Sequence, residues 1–363
     1  MQRRTFLGLT GLALGAAALG GWQLSRGTQP LVFSARNDAQ GKHYAVGFYL
    51  DGRQAFATQV PERCHDVVPH PTEPLAVFVG RRPSRESYLI DTQTGRLLQT
   101  ITTPNNRHFY GHGVFYHDGS LFYTTENDTS EPGRGVLGIY AFKDSQLVRI
   151  GEQPTHGVGP HQLLWMPDGE HLVVANGGIR TEADSRQMMN LDAMEPSLVI
   201  MHRDGRLMSR ETLPDQMTSI RHSAVAKDGT IVSGQQYEGD PDKEAQLVAI
   251  KRPGQPYQAF KVESDALKIM QHYTASVAIN SELRQLAITA PRGNRIFIWD
   301  LDTQNMLLSA PFADCAGVAS VAEGFVASSG MGRCRLFDSR TASVQISPLE
   351  LPAGLWDNHW RIG

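Results

Sequence analysis

The chain of 363 residues predicts an all-β protein, a seven-bladed β-propeller. Three observations carry this prediction. A short opening motif recurs six times, at spacings of 47, 49, 61, 52 and 42 residues. Behind each opening lie three further apolar stretches separated by turns, so each unit is four strands of blade length. A seventh unit is divided between the two ends of the chain, which closes the ring and removes its free sheet edges.

The units open on "HDVVPHPTEP" from His65, "HGVFYHDGS" from His112, "HQLLWMPDGE" from His161 and "HSAVAKDGT" from His222, with weaker copies "TASVAINSE" from Thr274 and "AGVASVAEG" from Ala316. Each opening is a short apolar strand that runs into a turn, supplied in four units by Asp118-Gly119, Asp168-Gly169, Asp228-Gly229 and Glu323-Gly324. Second strands follow, among them "LAVFVG", "HLVVANGG" and "QLAITAP". Pairs such as "YLIDTQTGRLLQTI" and "IFIWDLDTQNMLLS" then supply the third and fourth. In the divided unit, "LVFSARN" and "YAVGFYLDGRQAFATQV" are strands two to four and "NHWRIG" is the first. Residues 359–362 are therefore expected beside the strand near residues 31–37. A β-sandwich or a pair of small barrels predicts neither the fixed four-strand period nor the divided unit.

The propeller is assigned to residues 28–363, and residues 1–27 read as an address. The segment "MQRRTFLGLTGLALGAAALGGWQLSRG" pairs Arg3 with Arg4 ahead of Phe6, Leu7 and a Gly/Ala/Leu run to about Gly21. This is the pattern of a twin-arginine export signal, so the expected location is the periplasm, with membrane contact only through this segment if it stays uncleaved. No other stretch is long and apolar enough to span a bilayer. With 34 basic and 37 acidic residues the net charge is −3, which argues against a nucleic-acid partner or a polybasic membrane surface. Cys64, Cys315 and Cys334 are an odd number, so they cannot all pair within the chain even where disulfides are permitted.

In a propeller the first strand of each blade lines the central axis. The opening positions, in blade order, are His65, His112, His161, His222, Thr274, Ala316 and His359, so five consecutive blades carry a histidine to one axial point. Imidazole is the commonest ligand of first-row transition metals, and several neutral imidazoles in one pocket suit a shared cation. The candidate metal ligands are thus His65, His112, His161, His222 and His359, with iron or copper, or zinc, as the ion. The small residues at Thr274 and Ala316 leave an expected open side, as in a working rather than a closed structural centre. The competing explanation is one hydrogen bond repeated in each blade, tying neighbours together.

Nearby groups sort by spacing. His70 and His117 lie five residues along the strand and point away from the channel. His272, two residues before Thr274, is placed to reach the open side. Cys64 and Cys315 directly precede opening positions and read as small buried residues. The loops between second and third strands rise on the histidine face and bring Glu126, Asn127, Asn176 and Arg180, joined by Arg221 and Asn358 beside their histidines. Clustered arginines there suit a carboxylate-bearing ligand or a chelated metal.

The motifs "GHGVF", "TEND" with "GRGVLGIY", "GPHQLLWMPDG", "NGGIRT" with "NLDAMEPSL", "IRHSAV" and "WDNHW" together resemble a bacterial family of twin-arginine-exported periplasmic propellers of unknown function, whose members tend to be encoded beside imelysin-type iron-uptake proteins. The motif positions are His112, Glu126, Asn127, Asp128, His161, Asn176, Gly177, Gly178, Arg180, Arg221, His222, Asp357, Asn358 and His359. The resemblance implies periplasmic metal handling, with iron-uptake proteins as partners, and implies no activity.

Three functions fit these observations. The first is a protein that binds iron or copper on the histidine arc and exchanges it with a partner. The second is a metal-assisted hydrolase, since "GPHQLLWMPDGEHLVVAN" is similar to lactonase-type propellers and Glu126 offers a base. The third is an interaction module without a small ligand. No G-x-S-x-G or H-E-x-x-H motif occurs, so binding is favoured over catalysis.

Overall fold

The computed structural model describes residues 30–363, apart from 183, 184 and 186; the segment at 1–27 that reads as an export signal lies outside the described residues. The described strands form seven four-stranded antiparallel sheets, six in chain order from the axis outward and the seventh with the last strand of the chain innermost. The inner strands of blades 1 to 6 are Cys64–Pro69, Arg107–Phe115, Pro160–Trp165, Thr218–Val225, Val277–Asn280 and Cys315–Val321. Leu355–Ile362 is the inner strand of blade 7. Each inner strand touches the next, and the seventh touches the first, so the ring is closed.

Closure runs as the divided unit requires. Leu355–Ile362 pairs antiparallel with Leu31–Asn37, with Ile362 opposite Val32, Trp360 opposite Ser34 and Trp356 opposite Arg36. Both tryptophans are buried and pack on Phe48, at ring distances of 5.2 and 5.0 Å. The chain ends are thus joined by hydrogen bonds and by an aromatic cluster.

Alternation along each strand sends apolar side chains to both faces, because both faces of a blade are covered by neighbours. The core is accordingly seven separate clusters, one in each interface between adjacent blades. The largest joins blades 4 and 5 around Phe260, Phe297 and Trp299. It also receives the one α-helix among the described residues, Ser264–Met270, through Ala266, Leu267 and Met270. That helix departs from the all-strand expectation. It follows the two-residue outer strand Gln258–Ala259 in the chain, and it stops where Gln271 turns left-handed at φ 50°. No helix among the described residues is long and apolar enough to cross a membrane.

Trp360 is 2 % exposed, in the strand that closes the ring. The variant Trp360→Ala is expected to lose about 3–5 kcal/mol of stability, read as a lower denaturant midpoint in equilibrium unfolding. A loss under 1 kcal/mol would show that the end-to-end pairing contributes little.

Candidate metal centre

The histidines reach the axis because their strands are bulged. In the inner strand of blade 1, Cys64 pairs with Gly80 and Asp66 with Val79, leaving His65 as an extra residue. In blade 3 the extra residue is His161, between Pro160 and Gln162. In blade 4 it is Arg221, directly before His222. Blade 2 skips the ladder between Phe109 and Gly113, around His112, and blade 7 skips it between Trp356 and Trp360, around His359. A bulge kinks the strand and re-aims the side chain it carries, here toward the axis. Gly111 completes the packing. Its φ is +110°, and a Cβ there would lie 2.6 Å from His65 Cδ2, so only glycine admits the histidine of the neighbouring blade.

All five histidines converge, with ring centroids 4.6 to 6.0 Å apart in the contacting pairs. They divide into four and one. His65, His112, His222 and His359 each offer a ligand atom, and these atoms all lie within 4.8 Å of one another. His161 stands outside that set, yet its Nε2 lies 3.0 Å from Nε2 of His222, while His359 Nε2 lies 3.1 Å from the same atom. At these distances one ring nitrogen donates to the other, so His161, His222 and His359 form a hydrogen-bonded chain of imidazoles.

Two carboxylates fix the orientation of two rings. His65 Nδ1 lies 2.9 Å from Asp357 Oδ1, and His112 Nδ1 lies 2.8 Å from Asp66 Oδ2. A carboxylate at Nδ1 draws the proton to that nitrogen and leaves Nε2 with its lone pair, the arrangement of carboxylate–histidine–metal groups. His112 Nε2 is buried without a hydrogen-bond partner, as a waiting ligand nitrogen would be. Each carboxylate is held in turn by arginine. Arg361 donates to both oxygens of Asp66 at 2.9 and 2.6 Å, and Arg63 and Arg81 donate to Asp357 at 2.6 and 2.7 Å.

The two carboxylate bonds do link neighbouring blades, but they are not repeated at His161, His222 or His359. One hydrogen bond copied in every blade therefore does not account for the histidines. Sequence reasoning missed Asp66 and gave Asp357 no role. The signal was present as a carboxylate next to one opening histidine and two before another.

Electrostatics keep the rings neutral. Burial lowers His65 to about 4 against the opposing pull of Asp357, and lowers His112 with Asp66 opposing. His161 and His222 are pushed well below the usual imidazole range, first by burial and then by neighbouring rings. Burial does the same to His359, with Asp66 opposing. Burial works against the charge on Asp66 and Asp357, yet Arg361 with His359 and His112, and Arg81 with His65 and Arg63, hold both ionised.

A cavity of about 130 Å³ opens onto the cluster and is lined by His65, His161, His222, Arg221 and Asn358 among others. Arg221 and Asn358 thus stand where the sequence placed them. The expected opening at Thr274 and Ala316 is corrected: both are buried, and the Thr274 hydroxyl donates to the Gln235 carbonyl, so the approach is through the cavity.

Five other candidates do not join the site. Glu126 and Asn127 pair across the ladder with Phe109 and His108, and Asn176 with Pro160, so their backbones do lie at the histidine end of their blades. Their side chains are spent elsewhere. Glu126 accepts from Thr124, Tyr140 and Arg149 in a buried network, which removes it as a base at the cluster. Asn127 donates to the Thr181 carbonyl, and Asn176 to the Thr155 carbonyl and Ser197 Oγ. Arg180 lies in a half-exposed side chain 3.7 Å from Glu195. The chain leaves the helix through left-handed Gln271 and His272, and the His272 ring ends against Tyr237 with Nε2 on the Lys243 carbonyl. The three cysteines are free and buried, and burial raises their thiols, that of Cys334 to about 12, so none offers a thiolate.

Fold and site together define a closed propeller with a buried four-histidine group, supported by carboxylates, that can hold a metal ion. The model of a protein family of unknown function, DUF1513, matches residues 58–363, and the chain belongs to this family. Among solved structures the chain is similar to the hydrazine synthase of Kuenenia stuttgartiensis, at 14 % identity and a TM-score of 0.60, covering 91 % of this chain and 99 % of that one. At that identity the likeness concerns the fold alone. A search of curated proteins returns no match.

Neutral imidazoles in the folded state set the acid stability of the metal-free protein. Unfolded histidines take up protons near pH 6.5, whereas the folded ones do so only well below it, so the unfolded state binds more protons as pH falls. Stability is expected to drop from pH 6.5 toward about 4, with His65 alone contributing about 3 kcal/mol of that loss. Denaturant unfolding at stepped pH, with chelator present, reads this, and a flat profile between pH 6.5 and 4.5 would contradict it.

Proposed function

We propose that this protein binds a transition metal ion, iron or copper with zinc as a third choice, on its axial histidines, and serves in metal uptake or handling in the periplasm. The observation that supports this best is the pairing of His65 with Asp357 and of His112 with Asp66, beside four ligand atoms within 4.8 Å of one another. His65, His112, His222 and His359 are the proposed ligands, with His161 as a fifth ring that ligates or orients bound water through His222. A buried, mostly imidazole donor set suits these ions and disfavours calcium or magnesium. Export through the twin-arginine route is part of the proposal and is supported by Arg3 and Arg4 in the first 27 residues. It allows the ion to be loaded before the membrane is crossed. The resemblance in sequence motifs supports iron-uptake proteins as partners.

The hydrolase alternative keeps the metal but has no base in Glu126, which is occupied by Arg149 and Tyr140. The interaction-module alternative leaves five converging imidazoles without a purpose.

Calorimetric titration of metal-free protein with copper(II), iron(II) and zinc(II) is the primary test. Wild type should bind one ion stoichiometrically. The variant His112→Ala/His161→Ala should lose that ion and keep its β-sheet circular dichroism, because the core lies between the blades. If wild type binds none of the three ions better than this variant, the reading falls. Asp66→Asn and Asp357→Asn should each weaken binding about 10–100-fold. Protonation competes with ligation, and burial delays protonation of the folded rings. Affinity should therefore persist through pH 6.5 and fall only as pH approaches the His65 value of about 4. Replacing Arg3 and Arg4 by lysine should leave the protein in the cytoplasmic fraction.

A further inference from the structure

The cavity above the histidines has one buried cation, Arg221, whose charge no described residue pairs with. Arg221 is 7 % exposed and sits in the bulge of the blade 4 inner strand. It makes no hydrogen bond or ion pair with any described residue, and its buried Nε has no partner. Glu238 acts on it through space, together with Tyr273 and Tyr110, without pairing. A guanidinium does not lose its proton in a protein, so this is a buried cation without a counter-ion among the described residues, a costly arrangement unless something supplies one.

Its neighbours do not supply one. Arg81 is committed to Asp357, and Arg82 lies over the Tyr110 ring at 5.7 Å. Among the described residues that line the cavity, Arg81, Arg82 and Arg221 carry positive charge and none is a carboxylate. A divalent ion on neutral imidazoles would widen the imbalance. The cavity holds about 130 Å³. Its remaining walls are hydrogen-bonding groups, Tyr110, Gln236, Tyr273 and Asn358. That is room for a small anion and too little for a drug-sized ligand.

We infer that the cavity is an oxyanion site, in which a small anion such as hydrogencarbonate, a carboxylate or phosphate pairs with the Arg221 guanidinium and completes the coordination of the histidine-bound metal. The pairing with Arg221 stands on the cavity alone, while the role toward the ion rests on the proposed metal site. Metal and anion then bind with positive coupling, each supplying charge the other needs.

The experiment has two arms. In the first, the melting temperature of metal-free wild type is measured in an inert buffer and with added hydrogencarbonate, oxalate or phosphate, alongside Arg221→Gln and Arg221→Lys. Wild type should be stabilised by at least one of these anions, and the one that acts most strongly names the class. Arg221→Gln should lose the response and be more stable than wild type without anion, because an unpaired buried charge is gone. A purely structural arginine would give the opposite, a destabilised variant. Arg221→Lys keeps the charge but not the fork, and should respond more weakly.

In the second arm, zinc affinity is measured by calorimetry with and without hydrogencarbonate. Wild type should bind zinc on the order of tenfold more tightly with the anion, and Arg221→Gln should show no difference. If no oxyanion stabilises wild type more than Arg221→Gln, the anion site is wrong, whatever the metal does. If an anion acts in the first arm and no metal binds in the second, the anion site stands and the metal reading falls.

Discussion

Four buried imidazoles and a fifth at the cavity wall crowd one point, and that is tolerable only while they are neutral. Most of the site's other features follow from this constraint. Burial drives the ring protons off at physiological pH, which is the state a metal requires. Asp66 and Asp357 then do opposite work: each draws the remaining proton of one ring to Nδ1 and leaves Nε2 toward the cluster. A buried carboxylate is itself costly, and Arg361, Arg63 and Arg81 offset that cost. The result is a layered arrangement of ring, carboxylate and guanidinium, in which each layer makes the one inside it possible.

The scaffold can carry such a centre because its stability lies elsewhere. The apolar side chains are divided among seven inter-blade clusters, none of which contains a cluster histidine. Inner strands crowd at the axis, and bulges there re-aim the side chains that reach it. The strand irregularities at His65, His161 and Arg221 are therefore features of the site as much as of the fold. The fold itself does not select a function: 1061 solved chains match it, and propellers serve many unrelated roles.

Charge separates this centre from a closed structural one. A structural metal site satisfies its ion with its own ligands and leaves no cavity. Here an opening lined by Arg221 and Asn358 meets the histidines directly, and the Arg221 guanidinium, unpaired among the described residues, calls for a negative component. A neutral apolar cavity of the same size would make no such demand.

The architecture and the identity of the axial histidines were determined by the sequence alone. A repeat of four apolar strands, a histidine at a fixed place in five units and a seventh unit divided between Leu31 and Ile362 allow few other closed sheets. Spacing also put Glu126, Asn127 and Asn176 at the correct end of their blades, because a ladder fixes height along the strand. It could not fix direction. Whether a side chain turns to the axis or into a blade interface depends on bulges and on partners far away in the chain. Glu126 turns to Arg149 and Tyr140, and His272 turns to the Lys243 carbonyl. Pairings such as Asp66 with Arg361, 295 residues apart, exist only once the ring has closed. Local pattern sets strand, register and height; the closed ring alone decides which charges meet at its centre.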